Sequence, residues 1–221
     1  MKILFFGTSG MVGQGALREC LLDPTVTEVI SIGRTPLEQT NAKLRDIIQN
    51  DITELEPLKD LLKPCDGCLF CLGVSSSGMS EENYRKLTYD LTLKIASQLA
   101  EWNPGMTFLY VSGAGTDSTE KGSSMWARVK GETENALLRL PFQAAYMLRP
   151  GTIQPLHGIR SKTRLYRVAY ILGAPILPLL QRLFPKQITT TEKLGRVMIR
   201  LVRNGAPKPI LETGDIADLS A

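Results

Sequence analysis

Three glycines at spacings of three, in Gly7-Thr8-Ser9-Gly10-Met11-Val12-Gly13, stand between the apolar run Lys2 to Phe6 and a stretch of helical period. A pyrophosphate needs close backbone approach, free N–H groups and the positive end of a helix, and this pattern offers all three. Gly7 permits a tight turn, Gly10 keeps a side chain out of the anion's path, and Gly13 lets helix and strand pack closely. The alternative is a tight turn with no ligand. The placement after a strand, at the opening of a helix, favours a dinucleotide cradle made of Gly7, Thr8, Ser9, Gly10, Met11, Val12 and Gly13.

A second group of residues extends the same chemistry. An acidic residue ending the second strand would hold the ribose hydroxyls of NAD. This chain has Gly33-Arg34 there. A guanidinium bonds phosphate oxygens bidentately, so Arg34 points to NADP over NAD; the rival reading is a solvated surface arginine. Asp51 and Ile52 close a third strand, where a carboxylate and its neighbour edge an adenine ring.

Other reactive residues converge less. Cys65-Asp-Gly-Cys68-Leu-Phe-Cys71 has the look of a metal or redox cluster. Within a strand, however, residues three apart face opposite ways, so Cys68 and Cys71 cannot share an ion. With His157 the only histidine, no metal site is expected. Reduced thiols, together with an initial apolar run that stops at Gly7, lead to an expected cytoplasmic location.

The elements that must carry these residues alternate. Strands are expected at Lys2 to Phe6, Glu28 to Ile32, Ile47 to Ile52, Gly67 to Val74, Thr107 to Val111 and Gln143 to Leu148. A helix from Val12 is stopped by Asp23-Pro24. Ser80 caps a long helix with Glu81 and Glu82 in its first turn and a buried stripe of Tyr84, Leu87, Leu91, Ile95 and Leu99. A further helix spans about Ser124 to Leu140. Strands separated by helices read as βαβ units, hence an α/β fold with a doubly wound parallel sheet, the Rossmann fold.

The 221 residues are 43% hydrophobic and 22% charged, which excludes disordered, fibrous and disulfide-scaffold classes. Such a chain buries roughly 70% of its unfolded surface, enough for one domain over residues 1–221. Its net charge is +4, unevenly spread. From Arg149 to Arg203 there are 11 basic residues and one acid, Glu192. Residues 150–205 are therefore expected to form a small, basic, helical C-terminal lobe over the open end of the sheet. Leu194, Val197, Met198 and Leu201 make the inner face of its last helix, which Asn204-Gly205 ends.

Within that lobe, the run from Arg160 to Arg167 precedes the apolar stretch Val168 to Phe184. That stretch is shorter than the about 20 residues a membrane span requires. Three readings stand for the basic run: phosphates of an anionic substrate, weak contact with an anionic membrane surface, or a solvated face beside a core helix. Nucleic acid is not expected, because no recognition motif accompanies the charge.

Taken in order, Gly7 to Gly13, Gly33-Arg34, Asn50-Asp51-Ile52, Cys71-Leu72-Gly73-Val74, Tyr110-Val111-Ser112-Gly113 and Arg149-Pro150-Gly151 resemble an atypical short-chain dehydrogenase/reductase. The likeness is to the group of Tat-interacting-protein oxidoreductases and bacterial proteins labelled nucleotide-sugar epimerase. It implies an oxidoreductase or epimerase that binds NADP or NAD and acts on a carbonyl, alcohol or sugar-nucleotide substrate. It adds Leu72, Gly73, Val74, Pro150 and Gly151 to the cofactor contacts. It also makes Ser112 the group that orients the substrate oxygen and Lys130 the group that holds ribose.

The family's tyrosine, four residues before the lysine, is Trp126 here, and an indole cannot act as an acid or base near neutral pH. The resemblance therefore leaves open a catalytically disabled, cofactor-responsive binding protein. It also puts His157 near the substrate pocket, as a catalytic acid or as a solvated polar residue.

Overall fold

The computed structural model describes residues 1–159 and 187–220. The basic run Arg160 to Arg167 and the stretch Val168 to Phe184 lie outside the described residues. Seven strands form one parallel sheet: β1 (Lys2–Phe6), β2 (Glu28–Gly33), β3 (Leu44–Ile48), β4 (Gly67–Phe70), β5 (Thr107–Val111), β6 (Ala144–Arg149) and β9 (Ile210–Glu212). Their spatial order is β3-β2-β1-β4-β5-β6-β9. Two short strands, β7 (Thr152–Gln154) and β8 (Ile188–Thr190), pair with each other in parallel.

The α-helices among the described residues are α1 (Met11–Leu22), α2 (Lys59–Leu62), α3 (Glu81–Arg85), α4 (Leu91–Trp102), α5 (Met125–Leu137), α6 (Thr191–Asn204) and α7 (Thr213–Leu219). Strand alternation divides the core into two layers. Ile3, Phe5, Leu69 and Leu109 face α1 and α6, packing with Leu17, Leu194 and Met198. Leu4, Phe6, Phe70 and Tyr110 face the other way, towards Ile95, Leu99 and Leu137 of α4 and α5. This is the doubly wound Rossmann arrangement. The strand order reverses between β1 and β4, which opens a crevice at their carboxyl ends.

Several sequence expectations are corrected by this geometry. The third strand ends at Ile48 rather than Ile52. Asp51 instead opens a turn in which its Oδ1 accepts from the Thr53 N–H (2.9 Å) and hydroxyl (2.6 Å). The fourth strand stops at Phe70, four residues before Val74. In the long helix, Leu87 is 46% exposed, whereas Thr88 and Thr92 are buried. The cause is a π turn at Lys86–Asp90, whose wider coil displaces Leu87 within it, while Tyr84, Ile95 and Leu99 on either side are buried as expected.

Of residues 150–205, the structure describes 150–159 and 187–205, and there α6 packs in the main core. Leu194, Val197, Met198 and Leu201 are buried as expected, but in the main core beside α1. A Cβ on Gly15 would lie 2.5 Å from the Thr191 side chain, and one on Gly195 2.9 Å from the Ala16 Cα. Small residues let α1 and α6 approach closely, so α6 completes one helical layer. The helix ends at Asn204, with Gly205 at φ +68°.

Candidate functional site

The loop after β1 is built by its glycines. Gly7 has φ +84°, and a Cβ there would sit 2.6 Å from the Cys71 carbonyl carbon at the end of β4. A Cβ on Gly13 would be 2.0 Å from the Gly7 carbonyl oxygen. Backbone atoms cannot yield cheaply, so both positions demand glycine. The Gly10 N–H donates to the Gly7 carbonyl (3.0 Å), closing the turn. Gly10 then supplies no side-chain cap to α1, and the first turn of α1 holds no acid. An uncapped helix start with positive partial charge suits an anion. Thr8 is fixed by its hydroxyl contact with Ser31 (2.9 Å).

The other candidates lie along the same edge of the sheet. Cys71, Leu72, Gly73 and Val74 continue β4 as open chain. A Cβ on Gly73 or on Gly113 would meet nothing within 4 Å, which leaves open space beyond β4 and β5. The backbone after β5 runs beside the turn after β6. Ser112 N–H donates to the Leu148 carbonyl (2.9 Å) and Ala114 N–H to the Pro150 carbonyl (2.9 Å). Gly151 is equally tight, since a Cβ there would be 2.9 Å from the Gln187 carbonyl oxygen.

Ser112 and Lys130 meet. The Lys130 ammonium donates to the Ser112 carbonyl and sits 6.0 Å from the Tyr110 ring centroid. The Ser112 hydroxyl donates to the Leu148 carbonyl (3.1 Å). Desolvation pulls the Lys130 pKa down from 10.5 to about 8, opposed by Glu134 one turn along. Trp126 shares the Lys130 face of α5 and packs over the loop between β5 and α5, its ring edge 3.4 Å from a Cβ built on Gly115.

Tyr110 and Tyr84 are buried, and burial pushes both phenols above their ordinary range. Tyr89 instead lies 4.1 Å beneath the Arg85 guanidinium. Two ion pairs hold α5 against α3: Arg85 with Glu132 (2.5 Å) and Arg128 with Glu81 (2.7 Å).

Arg34, just past β2, is exposed and has no hydrogen bond or ion pair among the described residues. Asp51 is exposed and Ile52 buried. Hydrogen bonds from Thr53 hold the Asp51 carboxyl below its usual range.

His157 lies in the turn after β7. With φ +57°, it lines a cleft of about 650 Å³ with Thr8, Ser9 and Arg18. Its Nε2 contacts Glu192 Oε2 at 2.7 Å. Cys68 packs in the α4 layer and Cys71 against the α1 layer, on opposite sheet faces as expected. Burial raises all four thiols, Cys20 and Cys65 to about 12.

Sequence reasoning missed the buried ion cluster behind the site. Arg149, at the end of β6, bonds Glu134 with Nε (3.1 Å), Glu212 with Nη1 (2.9 Å) and Ser118 with Nη2 (2.5 Å). Glu134 is fully buried, and a buried acid two turns into a helix, with an arginine ending a strand, is the signal that could have found it.

No family model matches the chain. A curated relative from Emericella nidulans, named "Protein fmp52, mitochondrial", is 30% identical over 169 residues, covering 74% of this chain and 70% of that protein. The Saccharomyces cerevisiae FMP52 protein, also named mitochondrial, is 26% identical over 253 aligned residues, covering 100% of this chain and 97% of its own. Among solved structures, a short-chain dehydrogenase/reductase from S. cerevisiae has TM-score 0.66 at 16% identity, covering 99% of this chain and 98% of that one. The Bordetella bronchiseptica enzyme WbmF, solved in complex with NAD+, has TM-score 0.66 at 13% identity, covering 99% and 76%.

The expected cytoplasmic location is corrected by these relatives, which carry mitochondrial names. Reduced thiols argue against the secretory route but do not separate cytosol from mitochondrion.

Proposed function

The chain belongs to the Fmp52 family, with the fold of an atypical short-chain dehydrogenase/reductase, and from that premise we propose that it is a mitochondrial NADP-dependent oxidoreductase. The observation that carries this reading is the uncapped start of α1 beneath a loop in which Gly7 and Gly13 leave no room for a Cβ. The residues present fit a dinucleotide. Backbone N–H groups from Thr8 to Gly13 would receive the pyrophosphate, and Leu72, Gly73 and Val74 would border it at the end of β4. Asp51 and Ile52 would edge the adenine, and Pro150 and Gly151 would wall the far side.

Arg34 supports NADP, because an exposed guanidinium with no partner among the described residues is free to bind a phosphate. The cofactor supplies a hydride to a carbonyl carbon, or accepts one from an alcohol. Ser112 orients the reacting oxygen once its hydroxyl turns from the Leu148 carbonyl. Lys130 holds the ribose and, with a pKa of about 8, is the group of this constellation that can release a proton near neutral pH. The substrate is an aldehyde, ketone, alcohol or sugar nucleotide.

The test is NADPH oxidation against a panel of aldehydes, ketones and sugar nucleotides, with Lys130→Met as control. Turnover lost in the variant supports the assignment; turnover indifferent to Lys130 overturns its role. Trp126, packed over Gly115, favours a second reading, a cofactor-responsive binding protein without turnover. That reading predicts NADPH binding and no oxidation with any member of the panel.

A further inference from the structure

Residues 71–80 continue the chain after β4, residues 112–116 continue it after β5, and residues 123–127 lead into α5, where Trp126 folds back over Gly115. None of these residues is Asp, Glu, Lys or Arg, in a chain that is 22% charged. Their side chains are instead small, hydroxylic or apolar. Val74 is 41% exposed, and Met79, Met125 and Trp126 are half-buried. Apolar surface left partly open beside a few polar groups is the common character of a seat for an uncharged ligand.

The guanidinium groups of the flanking elements are engaged elsewhere. Arg85 bonds Asp90 (2.8 Å) and Glu132 (2.5 Å), and Arg128 bonds Glu81 (2.7 Å) and the Gly122 carbonyl (2.6 Å). Arg149 bonds Glu134 and Glu212. A sugar nucleotide carries a diphosphate, which takes charge-assisted hydrogen bonds from cations free to turn towards it. Here each of the three would have to abandon a carboxylate first. Lys130 donates to the Ser112 carbonyl, at the reacting end of the site.

Trp126 stands one turn before Lys130 on the same face of α5. Its ring edge lies 3.4 Å from a Cβ built on Gly115, and a Cβ on Gly113 would meet nothing within 4 Å. The indole thus presents a large flat apolar surface next to open space. We propose that the substrate of this site is a neutral carbonyl compound with an apolar body, and that Trp126 sets that preference by packing its ring against the body. The inference rests on the oxidoreductase reading above and narrows it, setting sugar nucleotides aside.

Calorimetric titration with a series of methyl ketones, 2-butanone to 2-octanone, reads the seat without turnover. Affinity is expected to rise about fourfold for each methylene that enters it, the worth of burying one CH₂, whereas UDP-glucose gives no heat of binding. Trp126→Ser lowers the affinity for 2-octanone about tenfold or more, and Trp126→Phe keeps it within about threefold of the parent, because a phenyl ring restores most of the apolar face. NADPH affinity stays unchanged in both variants. An affinity that does not rise along the series overturns the seat, as does UDP-glucose binding more tightly than 2-octanone. Equal losses in the serine and phenylalanine variants overturn Trp126 as the packing residue, and so does a serine variant that loses NADPH and ketone together, which marks a structural role. A rising series that depends on Trp126, in a protein that binds neither NADPH nor NADH, removes the oxidoreductase reading and leaves the apolar seat.

Discussion

Replacing Lys130 by methionine removes an ammonium that the fold has largely desolvated, and the consequence depends on pH with a definite sign. Folding lowers the lysine pKa from 10.5 to about 8. The unfolded chain therefore binds more protons than the folded one between those values, and the stability of the unaltered protein rises with pH across that window. At about 1.4 kcal/mol per pKa unit, the charge costs about 3 kcal/mol at pH 7 and under about 1 kcal/mol at pH 10. These are upper values, because Lys130 is only half-buried. The methionine variant has no such dependence.

Its advantage over the parent therefore shrinks by about 2 kcal/mol from pH 7 to pH 10. For a chain of this length that is roughly 4–8 °C in the difference between the two Tm values. Paired thermal unfolding across pH 7, 8, 9 and 10 measures it, since titration of every other group cancels in the comparison. A difference in Tm that stays constant with pH would falsify the claim that Lys130 is held out of water beside Ser112.

Other outcomes follow from the same structure. Gly13→Ala, whose Cβ would lie 2.0 Å from the Gly7 carbonyl oxygen, should cost at least about 1–3 kcal/mol in denaturant unfolding and abolish NADPH binding. Gly73→Ala, with open space around it, should stay within about 0.5 kcal/mol of the parent in the same unfolding assay. Arg149→Met leaves the Glu134 carboxylate buried and uncompensated, a loss of about 3–5 kcal/mol that a second change, Glu134→Leu, should largely recover. Trp126→Tyr should raise NADPH oxidation by about 10²–10⁴-fold with any substrate the parent turns over, the usual worth of a placed acid; an unchanged rate would show that position 126 is not where the proton donor belongs.

What could be read from the chain alone was set by local interactions. The first strand, the glycine turn and α1 were legible because Gly7 to Gly13 and the period after it specify them within about twenty residues. The opposite facing of Cys68 and Cys71 followed from strand alternation alone. The stripe Tyr84, Ile95 and Leu99 was legible from its period, but the exposure of Leu87 was not, since nothing in Lys86–Asp90 announces a π turn.

The placement of α6 was not legible for a different reason. Charge density suggested a separate lobe, yet α6 buries Leu194 and Met198 in the main core because Gly15 and Gly195 admit close contact with α1. Strands β7 and β8 have three residues each and pair across more than thirty, and β9 follows Pro207 and Pro209. Such short strands are held by their partners rather than by their own pattern. At the site, Ser112 and Lys130 came from resemblance, whereas the Arg149–Glu134 cluster and the His157–Glu192 contact join residues that only the folded chain brings together.

The central claim is that the loop after β1 binds a nicotinamide dinucleotide, with NADP preferred. Thermal unfolding of the protein alone, and with equal concentrations of NADPH and of NADH, tests it most directly. A ligand at 100 times its Kd adds about 2.7 kcal/mol of apparent stability. The expected result is a clear rise in Tm with NADPH and a smaller one with NADH. An unchanged Tm with both, at millimolar concentration, would contradict it.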